Sequence, residues 1–118
     1  MIGPHRLFAT LFVAALLAVG ARAEGFVPGL DDLPLMDGLA EVAGSGTVFD
    51  QPAGRIVDAY AVGRVDADAV ARFYGDTLPH LGWTPVDAMT FTREGERLAI
   101  SVTRSGGDLT VHFSLTPD

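Results

Sequence analysis

Two histidines, four serines and a close pair of glutamates are the first side chains after residue 23 to weigh for catalysis or metal binding. His112 alternates with Val111 and Phe113, which turns it to the same side of a strand as Thr110 and Ser114. Asp58 would be the candidate to share a metal with it, but no i, i+4 pair or other ligand spacing accompanies them. His80 stands beside a helix stop and is expected in solvent. Ser45, Ser101, Ser105 and Ser114 all lie outside a G-x-S-x-G turn, the strained elbow that presents a nucleophilic serine. Glu94 and Glu96 flank Gly95 at a hairpin tip. Paired carboxylates divide acid and base roles only when their environments differ, and a tip solvates both. No catalytic residue, metal site or cofactor is therefore expected. Arg55 and Arg64 bracket a strand and could grip a carboxylate or a phosphate through two hydrogen bonds. With Asp50, Asp58 and Asp66 near them in sequence, ion pairs within the chain are the expected use.

These side chains sit in a chain of 118 residues, 48% apolar and 19% charged, with no cysteine and a net charge of -7. That is one small domain at most, with neither a disulfide scaffold nor a thiolate metal site. The acidic balance argues against nucleic-acid binding, which needs a cationic face. Residues 1–23 read as a cleaved export signal. Arg6 precedes an apolar run from Leu7 to Val19, and Ala21-Arg22-Ala23 is an A-x-A cleavage pattern. As a helix that run spans about 20 Å, short of the roughly 30 Å core of a bilayer. Cleavage after Ala23 removes two arginines and leaves six against fifteen acids, a charge of -9. The expected location is periplasmic or secreted.

Residues 24–46 carry two prolines and five glycines, so no helical or strand period persists there. The stretch is nonetheless apolar, with Leu33, Leu35, Met36 and Leu39 among its side chains, unlike a disordered linker. It is expected either to lie extended over a sheet face or to dock on a partner, with a short helix near Leu39–Ala43 capped by Asp37.

Residues 47–118 read as the regular domain. Strands are expected at 47–50 and 55–62, the second presenting Val57, Ala59 and Ala61 to a helix. Asp66 caps that helix, whose apolar stripe is Val70, Phe73, Tyr74 and Thr77. Pro79 ends the regular helix near Leu78, and Gly82 stops the last turn. Strands follow at 83–86 (an edge, because of Pro85), 89–93, 97–104 and 109–115, joined by tight turns. The fold expected is α+β, an antiparallel meander with one helix on one face, a two-layer sandwich in strand–strand–helix–strands order.

The stretch Phe73-Tyr74-Gly75-Asp76-Thr77-Leu78-Pro79-His80-Leu81-Gly82-Trp83 resembles the F-Y-x-x-x-L-P-x-L-G-W junction of small exported bacterial domains. Val48-Phe49-Asp50 and Gly54-Arg55-Ile56-Val57 are similar to the same group. The resemblance implies an exported domain and brings no activity with it. Its pattern has a structural cause, since aromatics anchor the helix, Pro-x-x-Gly stops it and Trp83 re-enters the core.

Together these readings point to a non-catalytic exported protein that binds another protein at the cell envelope. The residues expected to meet the partner are Leu33, Leu35, Met36, Leu39, Tyr60 and Trp83. The alternative is a small-ligand domain with its pocket between helix and sheet near Trp83.

Overall fold

The computed structural model describes residues 25–118, so the proposed signal and its cleavage site lie outside the described residues. Nine strands and one α-helix follow: β1 (Phe26–Val27), β2 (Leu30–Pro34), β3 (Leu39–Glu41), β4 (Thr47–Gln51), β5 (Gly54–Gly63), α1 (Ala67–Thr77), β6 (Thr84–Asp87), β7 (Thr90–Arg93), β8 (Glu96–Ser105) and β9 (Asp108–Pro117). The protein is α+β, a largely antiparallel sheet with one helix packed on it. Among the described residues no helix is long and apolar enough to cross a membrane.

The sheet runs β3-β5-β9-β8-β7-β6, and β4 also pairs with β5. Only β6 to β9 form a meander. β5 pairs with the last strand, β9, so the helix carries the chain across the sheet to its far edge. The strand before a helix need not neighbour the strand after it, and local sequence pattern carries no record of that choice. β3 and β4 take successive stretches of one edge of β5, opposite Ala61–Gly63 and Gly54–Asp58. Between them the chain loops out at Tyr60. There Ser45 Oγ accepts the Tyr60 amide at 3.2 Å and donates to the Tyr60 carbonyl at 3.3 Å, satisfying the backbone groups that the excursion frees.

Side-chain alternation places the core. Val57, Ala59 and Ala61 of β5 and Leu109, Val111, Phe113 and Leu115 of β9 are buried, as are Leu98 and Ile100 of β8. On α1 Val70 and Tyr74 are buried and Phe73 packs at the margin. Ala59 opposes Phe113 across β5 and β9, and Tyr74 of the helix meets Phe113 edge-on with centroids 5.4 Å apart. Helix termination follows the expected course. The α-helical bonds stop at Thr77, one 3-10 turn spans Leu78–Leu81, and Gly82 takes a left-handed φ of 92°. Asp66 holds the N-cap position, but its side chain makes no capping bond.

Residues 25–46 differ most from the sequence reading. β1 and β2 form a hairpin whose Val27, Leu30 and Leu33 join the core, and Leu39 of β3 joins it too. The short helix expected near Leu39–Ala43 is instead β3 and a turn, because pairing with β5 outweighs weak local helix preference over so few residues.

Gly63 shows how close that pairing is. A Cβ there would run into the Gly38 carbonyl, with Leu39 Cα only 3.2 Å away. Gly63→Ala is expected to cost about 2 kcal/mol through this overpacking, measured by urea denaturation. A cost within experimental error would mean that β3 is not held against β5.

Candidate functional site

Three pieces of chain meet imperfectly on the covered face: the β1–β2 hairpin, the link Leu35–Gly38 and helix α1. Their junction leaves an open apolar cleft of about 710 Å³, lined by Phe26, Leu35, Met36, Ala69 and Phe73 and bordered by Pro34 and Asp37. Phe26 is 58% exposed, an unusual position for a large aromatic side chain. A second hollow of about 640 Å³ shares Phe26 and Leu35 and reaches β3.

The back of the cleft is tied down by one phenol. Tyr74 Oη donates to the Pro34 carbonyl at 2.9 Å and accepts the Met36 amide at 3.2 Å. The helix stripe predicts a buried Tyr74, while its partners come from a segment that sequence leaves irregular. Burial is the largest influence on the hydroxyl and pushes its pKa up to about 12, with the Met36 amide opposing. Midway along β2 Asp32 Oδ2 lies 2.8 Å from Arg93 Nη1, which also donates to the Leu81 carbonyl at 2.9 Å. Its guanidinium covers the Trp83 ring, 4.3 Å from the centroid. Arg93 thus joins the hairpin, the helix stop and the indole, a role that nothing in the linear sequence marks.

Of the residues expected to meet a partner, Leu33, Leu39 and Trp83 are core side chains. Leu35 and Met36 line the cleft. Tyr60 lies apart, on the opposite sheet face, stacked on His112 with centroids 4.4 Å apart and planes 5° from parallel. Phe26 and Phe73 complete the cleft, and neither is among the residues expected there. An aromatic at the start of a hairpin gives no sign of which way it will point. The hollow beside Trp83 is smaller, about 360 Å³, and polar, with Thr84, Thr92, Arg93, Glu94 and Asp118 on its walls.

Asp58 does join His112 on the open sheet face, as the alternation suggests. His112 Nε2 lies 2.7 Å from Asp58 Oδ1. A carboxylate accepts, so in this contact Nε2 is the donor. Ser101 opposes His112 in register and Ser114 opposes Asp58, but neither hydroxyl hydrogen-bonds the ring. Among the described residues no three His, Cys, Asp or Glu side chains cluster to hold a metal.

The arginines find carboxylates inside the chain, though not the ones nearest in sequence. Arg55 grips Glu96 with Nε to Oε2 at 2.9 Å and Nη2 to Oε1 at 3.3 Å. The Glu96 hydrogen bond is the main influence holding the Arg55 pKa above its ordinary value. Glu96 is therefore a paired strand residue rather than a solvated hairpin tip. Arg64 lies 3.7 Å from Asp108, both well exposed, a pair worth little.

No family model matches the chain, and no curated protein or solved structure is found similar to it.

The raised phenol pKa fixes a pH dependence. An unfolded tyrosine ionises near its ordinary value of 10.0, whereas folded Tyr74 resists until about 12. Stability from this phenol is thus complete below pH 10 and is lost as pH rises toward 12. Urea denaturation from pH 8 to 12 is expected to show that loss. Tyr74→Phe is expected to flatten it while lowering stability at neutral pH by about 1–2 kcal/mol. Equal alkaline slopes for the two proteins would count against the assignment.

Proposed function

We propose that the chain is a non-catalytic, exported accessory protein that works at the cell envelope by binding a segment of another protein around Phe26. The carrying observation is the open apolar cleft with an exposed phenylalanine at its mouth. Such a surface costs free energy in water, and one rimmed by polar groups is the usual mark of a docking site. The export-type segment and the resemblance of Phe73–Trp83 to exported bacterial domains support an envelope setting. The side-chain groupings favour binding over catalysis, because the His112–Asp58 pair sits on an open sheet face without a bonded nucleophile. An acidic surface suits a soluble role outside nucleic-acid binding.

A second reading has one observation behind it. About 710 Å³ lies within the range of small-molecule sites, so an apolar ligand would also fit. Its place would be beside Phe73 and Met36 rather than near Trp83.

The test is affinity capture of the tagged protein from gently solubilised envelopes, with Phe26→Ser as control. Deleting residues 24–46 would be a poor control, because it removes four core side chains. Phe26 is mostly in solvent, so its replacement leaves the fold intact. The expected outcome is a stoichiometric envelope protein captured by the wild type and lost from the variant. Equal capture by both would remove the cleft from the account, and no enriched protein in either would favour the small-ligand reading.

A further inference from the structure

The cleft against the helix and the hollow against β3 are two halves of one trough, since both are walled by Gly25, Phe26 and Leu35. Phe26 stands between them. Two charged side chains line the trough, Asp37 in the first half and Glu41 in the second, and both are acidic. No arginine or histidine lines either half. The second half runs along Gly38–Glu41, and β3 is an edge strand with no strand on its outer side among the described residues.

Resting on the reading that this surface docks another protein, we infer that the docked segment is an extended stretch of that protein that carries apolar side chains and lysine or arginine on one face. Its backbone adds to the outer edge of β3. Apart from the Leu39 amide, which donates to the Met36 carbonyl at 3.0 Å, the edge of β3 offers backbone hydrogen bonds to an extended chain, which a helix would leave unused. Phe26, Leu35, Asp37 and Glu41 line the same trough, and Glu41 opposes the buried Ala61, so the side chains of the added strand that face the trough meet both the apolar wall and the carboxylates. The charge of the protein favours the same partner, because six arginines against fifteen acids after residue 23 attract a cationic segment and repel an anionic one. A second copy of this chain and an anionic lipid surface are both disfavoured by that charge.

The probes are fluorescein-labelled heptapeptides Leu-Ser-Xaa-Ser-Leu-Ser-Xaa with lysine, serine or glutamate at Xaa, the lysine–leucine, serine–leucine and glutamate–leucine peptides, titrated with the purified protein and followed by anisotropy. The lysine–leucine peptide is expected to bind about fivefold tighter than the serine–leucine one, a difference that two exposed ion pairs supply and that high salt removes. The glutamate–leucine peptide is expected not to bind. The double variant D37N/E41Q should reduce the lysine–leucine affinity to the serine–leucine level, and Phe26→Ser should abolish binding of both. Amide shifts on peptide addition should centre on Leu39–Glu41.

Equal binding of lysine and serine peptides, unchanged in D37N/E41Q, would overturn the charge requirement while leaving the docking reading in place. Lysine–leucine binding that survives Phe26→Ser would overturn the assignment to the trough. Binding of no peptide, with a Phe26-dependent envelope protein still captured, would overturn the extended basic segment alone. Failure of the capture as well would remove the docking reading with it. Self-association in sedimentation that Phe26→Ser abolishes, or Phe26-dependent binding to phosphatidylglycerol vesicles, would replace the partner with a second copy or a membrane.

Discussion

One helix has to cover the apolar face of a sheet that it is too short to cover. Helix α1 has 11 residues and buries Val70 and Tyr74 fully. The face beneath it carries Val57, Ala59, Ala61, Leu98, Ile100, Val111, Phe113 and Leu115, each buried. Leaving a side chain such as Leu115 or Phe113 in water costs roughly 1.5–3 kcal/mol, so the uncovered part of that face must be closed by something else. The β1–β2 hairpin supplies the closure with Val27, Leu30 and Leu33. A two-residue β1 paired with β2 cannot hold itself together in water, and it persists here because it lies on the sheet and is tied through Asp32 and Pro34 of β2.

The ties decide the shape of the surface. Tyr74 fixes the exit of β2 through Pro34 and Met36, and Arg93 holds Asp32 against the helix stop. A hairpin displaced from the sheet would leave the Tyr74 phenol without both its partners and take the Asp32 carboxylate from the Arg93 guanidinium. The junction closes at its base and stays open at its rim, which is where Phe26, Leu35, Met36 and Phe73 form the cleft. Packing and the proposed binding surface are thus two consequences of one arrangement. The opposite sheet face has a different character, with Asp58, His112 and Tyr60 in contact beside rows of serine and threonine on β8 and β9.

Much of this was legible in the chain because strand and helix periods were clean after residue 46. Alternation assigned the buried faces of β5, β8 and β9, and Pro79 with Gly82 marked the end of the helix correctly. Pro85 marked β6 as an edge. Partnerships across long sequence separations were not legible, since a one-dimensional pattern states which side a residue faces and not what lies opposite. The β5–β9 pairing, Arg55 with Glu96 and Arg93 with Trp83 and Asp32 are all of that kind. Residues 25–46 defeated periodicity altogether, because strands of two to five residues between positive-φ glycines are too short to show a period. Within the site, sequence puts Leu33, Leu35, Met36 and Leu39 forward alike as apolar candidates, and the burial of Leu33 and Leu39 against the half-buried Leu35 and Met36 depends on which face of the hairpin and of β3 meets the sheet.

Native-state hydrogen exchange of the Leu35 and Met36 amides tests most directly whether the hairpin is part of the core. Leu35 donates to the Gly25 carbonyl at 2.9 Å and Met36 to the Tyr74 hydroxyl, so both report the closed hairpin. If the hairpin closes the sheet, these amides exchange with an opening free energy close to that of Val111 and Phe113 in β9. Exchange of Leu35 and Met36 at the rate of an open loop, with β9 still protected, would contradict the account, because the sheet would then hold its core without the hairpin.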